Sequence, residues 1–71
     1  MGALDLRQSG YTPVEIERLH AAYERVLAAI GRDIPIGLRE AVAAEIMATA
    51  AKLQRIDEAE IVTRVRTALD V

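Results

Sequence analysis

The stretch Ala41 to Leu53, AVAAEIMATAAKL, contains six alanines and neither glycine nor proline. Alanine loses the least on entering a helix, so the run specifies one. The placement of its apolar residues then decides what that helix needs. With successive side chains about 100° apart, Leu38, Val42, Ile46 and Leu53 gather on one side, and Ala41, Ala44, Ala48 and Ala51 on the other with 3-4-3 spacing. The first set is a core face. The second is a strip of methyl groups, with Met47 beside it, along which another helix can approach closely. A helix on the surface of a domain needs one apolar face, and this one has two.

Seventy-one residues make a single domain, spanning 1–71, near the lower size at which one core holds a chain together. A chain this short buries only about 60% of its unfolded surface. Such domains lean on disulfides, metals or oligomerisation. Cysteine is absent, which excludes disulfides, thiol catalysis and thiolate metal sites and fits a reducing compartment. Oligomerisation is the route left. Nine basic against eleven acidic residues give a net charge of −2, a balance that draws the chain toward neither nucleic acid nor anionic lipid. Two tyrosines are the only aromatics, so there is little to stack on a base.

The opening MGALDLRQSG lacks the basic and apolar regions of a secretory signal. No apolar run is long enough to span a bilayer. Met1-Gly2 begins a myristoylation pattern, but Leu6 stands where that pattern has Ser or Thr. The expectation is a cytoplasmic protein with no membrane association and a flexible lead-in over 1–10.

Local chemistry marks the helix ends. In Tyr11-Thr12-Pro13-Val14-Glu15-Ile16, Thr12 is a cap, Pro13 takes the favoured first position, Glu15 returns a bond to the Thr12 amide, and Tyr11 staples to Ile16. Ile16, Leu19, Tyr23, Val26 and Ile30 then form a seam widened by Leu27, and Gly31 ends the helix as a left-handed C′ residue. This predicts a first helix over 13–30. Ile34 and Ile36, around Pro35 in the following loop, are expected to tuck beneath the helices as a plug. The second helix is expected over 37–55. The third, over 58–69, opens with Ile56-Asp57-Glu58-Ala59-Glu60-Ile61 and repeats the logic of the first, with Asp57 as cap, Glu60 at N3 and Ile56 stapled to Ile61. Ile61, Val65 and Leu69 supply its buried face, helped by Val62 and Ala68. Alternating runs that would mark strands are missing. The fold class is therefore all-α, a three-helix bundle or an orthogonal three-helix domain, dimerising through the Ala-rich second helix. Leu19, Tyr23, Val26, Ile30, Val42, Ile46, Leu53, Ile61 and Val65 are the expected core.

The layout Glu15-Ile16, Leu19 and Tyr23, then Ala43-Ala44-x-Ile46-Met47-x-x-Ala50, then Ile56-Asp57 opening a short last helix resembles that of small all-helical bacterial proteins without assigned activity. The resemblance implies the all-α fold and carries over no site.

Three other patterns bear on chemistry. Glu17-x-x-His20, with Glu24 a turn further, has the spacing of a di-iron carboxylate bundle. Such a site needs more carboxylates from facing helices, and this stripe lies on the wet flank of the seam; no metal or cofactor is expected. Arg18, Arg25, Arg32 and Arg39 recur every seven residues, but Gly31 and Pro35 break the track. Arg18 and Arg25 share a face opposite the seam, and a dimer could join them with Arg55, Arg64 and Arg66 in a local positive patch, but the expectation is arginines that face water and pair with neighbouring glutamates. Base reading needs a recognition helix with polar side chains at groove edges, and no helix-turn-helix pattern is present. Ser9 is far in sequence from the only histidine, Thr49, Thr63 and Thr67 read as core-edge residues within helices, and Lys52 reads as a snorkelling residue at an interface rim. The chain is not expected to be an enzyme.

What remains is the alanine strip, flanked by Glu40, Glu45 and Lys52. A small apolar centre with charged margins is what a seam between helices looks like. The competing explanations are cover by Leu4 and Leu6 of the same chain, or alanine chosen for helix propensity alone. The first expectation is a protein-interaction or regulatory module that works as a homodimer, or with a protein partner, through Ala41, Ala44, Met47, Ala48 and Ala51. A small DNA-associated regulator and a metal-dependent helical bundle are the alternatives.

Overall fold

A computed structural model describes residues 10–71. Three helices follow in order: α1 Pro13–Ile30, α2 Ile36–Lys52 and α3 Glu58–Leu69. Each packs against the other two, and there is no strand among the described residues. The lead-in over 1–9, with Ser9 and the leucines suggested as cover for the alanine strip, lies outside them.

The start of α1 is built as its sequence dictates. Glu15 N–H donates to Thr12 Oγ1 at 3.2 Å, and Thr12 N–H donates to Glu15 Oε1 at 2.9 Å. This capping box satisfies two amides that a bare helix end would leave open. Tyr11 and Ile16 are half-buried and both pack against the core. Thr12→Ala is expected to destabilise the protein by about 1 kcal/mol, lowering the melting temperature by about 4–8 °C in a circular dichroism melt. In α3 only half of the motif repeats. Asp57 Oδ1 accepts from Glu60 N–H at 3.2 Å, while the Glu60 carboxylate turns forward to accept from Arg64 Nε at 3.0 Å.

Gly31 ends α1, its N–H donating to Leu27 O, but its backbone is not left-handed helical. At φ 121° and ψ −151° it occupies a region open essentially only to glycine. The second helix begins at Ile36, one residue earlier than expected, with Pro35 as its N-cap and no side-chain cap. It ends at Lys52, short of 55. Leu53 is already extended, at φ −96° and ψ 142°. The chain needs Leu53 to Asp57 to turn back, bury Ile56 at 5% exposure and bring Asp57 to the start of α3.

The core is closed by Leu19, Ala22 and Val26 of α1, Val42, Ala43, Ile46 and Ala50 of α2, Ile56 of the connection, and Ile61, Val62 and Val65 of α3. Tyr23, Ile30, Leu53 and Leu69 are partly buried against it. The expected plug forms only in part: Ile34 is half-buried, whereas Ile36, as the first residue of α2, is 76% exposed. Ala68 is exposed rather than buried. The fold extends over 31 × 26 × 15 Å.

Candidate interaction surface

The core is reached by one side of α2, through Val42, Ala43, Ile46, Thr49 and Ala50. Ala41, Ala44, Ala48 and Ala51 point the other way, and all four are exposed. Gly37 continues their line toward the helix start, and a methyl group placed on it would meet nothing within 4 Å. From position 37 to 51 the centre of this face thus carries only glycine and alanine. Met47 is half-buried at one margin, which also holds Glu40 and the exposed Ile36. The opposite margin holds Glu45, half-buried, and Lys52, exposed. That second margin borders α3: Glu45, Thr49 and Lys52 share an open groove of about 330 Å³ with Thr63, Arg64 and Thr67. Of the three threonines, only Thr49 is buried, at 6% exposure. Thr67 Oγ1 donates to Thr63 O at 2.9 Å, one turn back along α3.

Two of the arginines are exposed and paired with glutamates, and three others bond to backbone carbonyls. Arg18 and Arg25 are exposed on α1, and their guanidinium groups reach the start of α3. Arg18 Nη1 donates to Ile56 O at 3.1 Å, and Arg25 Nη1 pairs with Glu58 Oε2 at 2.8 Å. The second pair is wet, its side chains 53% and 34% exposed, so its contribution to stability is at most about 1 kcal/mol. Arg18 and Arg55 line an open hollow of about 430 Å³ with Ile56, Asp57 and Glu58. Arg39 Nε donates to Ile34 O, Arg64 pairs with Glu60, and Arg66 Nε donates to Val71 O. Glu17, His20 and Glu24 are exposed along α1. Among the described residues no three side chains of His, Asp or Glu type come together in a way that could hold a metal ion. No helix among them is long and apolar enough to cross a membrane.

No protein-family model, curated protein or solved structure matches the chain, so the interaction surface rests on its own geometry. Three contributors to the core were not singled out by the periodicity: Ala22 of α1, fully buried, and two alanines of α2. Ala43 and Ala50 lie seven residues apart on the inner side of α2 and let the other helices come close. Their spacing was a usable signal, hidden because alanine also fills the outer face.

Proposed function

We propose that this chain is a small helical interaction module that associates with itself through the outer face of α2, and that this contact is the basis of a regulatory or adaptor role in the cytoplasm. The observation that carries the reading is the exposure of Ala41, Ala44, Ala48 and Ala51 together, on a helix whose opposite side already fills the core. Propensity alone accounts for alanine but not for the clearing of long side chains from one continuous line while Glu40, Glu45 and Lys52 stand at its borders. A line of methyl groups brings a second helix backbone close, where dispersion contacts are dense. Oligomerisation also supplies the support that a cysteine-free domain of this size lacks.

Sedimentation of the parent and of Ala48→Glu tests the reading. The parent is expected as a dimer whose melting temperature rises with protein concentration. Ala48→Glu, with a charge placed at the centre of the strip, is expected to run as a monomer of unchanged helix content. If both sediment alike, this face is not the interface. Should the parent be a monomer at every concentration, self-association fails altogether and a different protein becomes the partner to seek.

A further inference from the structure

Resting on the self-association reading, we infer that two copies pair their α2 helices antiparallel, about a two-fold axis passing near Ala48, with Glu45 of each copy against the partner's Lys52. The two margins of the exposed face differ, and this difference selects the arrangement. One carries Ile36, Glu40 and Met47; the other carries Glu45 and Lys52, seven residues apart. A two-fold axis relating antiparallel helices sets each margin beside its own copy, running the opposite way. Glu45 then meets the partner's Lys52, and Lys52 meets the partner's Glu45, so one margin supplies two opposite-charge pairs. The register that aligns them is centred between positions 48 and 49. It interleaves Ala44, Ala48 and Ala51 with their copies and brings Met47 close to the partner's Met47.

Parallel pairing exchanges the margins. Glu40 then lies on the side of the partner's Glu45, acid beside acid, and Lys52 is left facing the margin whose nearest member is Met47. The chemistry of the two margins thus fits a second copy in one direction and not in the other. Because α2 ends at Lys52, this register overlaps only the C-terminal half of the two helices, and Ile36, exposed at 76%, lies beyond the overlap together with Gly37 and Ala41.

The absence of native cysteine makes the arrangement readable by cross-linking. Single variants Ala48→Cys and Ala41→Cys are oxidised under identical conditions and followed on a non-reducing gel, with sedimentation of each reduced variant alongside. Near the axis, position 48 lies against its own copy within the about 5–6 Å that a disulfide spans; position 41 is separated from its copy by about 20 Å along the helices. Ala48→Cys is expected to form covalent dimer several-fold faster than Ala41→Cys. Equal cross-linking at both positions would mean parallel pairing and overturn the inference while leaving self-association intact. No cross-linking of a variant that sediments as a dimer would move the interface elsewhere, and a chain that is monomeric throughout would remove both proposals.

Discussion

Ile46→Ala is expected to leave the chain largely unfolded at 25 °C. Ile46 is completely buried and is among the largest side chains in the core. Truncating such a residue removes its transfer free energy and leaves a cavity, together worth about 2–5 kcal/mol. A single core in a chain of this length supplies about 3–5 kcal/mol of net stability, so the loss and the reserve are of the same size. Far-ultraviolet circular dichroism should show most of the helix signal gone and the cooperative melt lost. The measurement belongs at low protein concentration, because association would hide part of the effect by mass action. A melt within a few degrees of the parent would mean that α2 does not pack as described.

Gly31→Ala is the second large effect, and its cause is backbone geometry alone. At φ 121° a side chain is strained whatever the space around it, yet an added Cβ meets nothing within 4 Å. The penalty expected for forcing an L-residue into that region is about 1–3 kcal/mol, a fall of about 4–8 °C in melting temperature for each kcal/mol. Gly37→Ala serves as the control. It too has open space at its Cβ, but it lies within α2 at ordinary helical dihedrals. There alanine is expected to stabilise by about 0.5–1 kcal/mol. Opposite signs from the two substitutions are the prediction; a loss at both would point to an unrecognised contact at position 37.

The contrast between these glycines shows where sequence is a good guide. The bounds of α1 and α3 were legible because Thr12, Pro13, Glu15 and Asp57 act on their own neighbours within a turn, and local chemistry is what a sequence displays. The ends of α2 carry no such group, so they are fixed by what the chain must do next. Leu53 leaves the helix because Ile56 has to reach the core, and periodicity beyond Lys52 holds no sign of it. That Gly31 takes a positive φ was legible; which region it takes depends on the path to Pro35. That the guanidinium groups of Arg18 and Arg25 reach Ile56 and Glu58 was not legible, since it depends on how helices far apart in sequence pack together. The line of Ala41, Ala44, Ala48 and Ala51 was legible as a pattern, and all four are exposed. Its exposure in a single chain follows from which side of α2 the core claimed.

The ends of α2 have a consequence for motion. With Pro35 as an N-cap offering no side-chain acceptor, the amides of Ile36 and Gly37 depend on water, and Gly37 weakens the first turn further. The helix with the bare outer face is also the one least secured at its start. Amide hydrogen exchange in an isolated chain should therefore be fastest, among the three helices, in the first turn of α2. A second copy paired near Ala48 leaves that turn uncovered, so association should slow exchange around Ala44 to Ala51 while the first turn stays fast, and the contrast would report which half of the face is occupied.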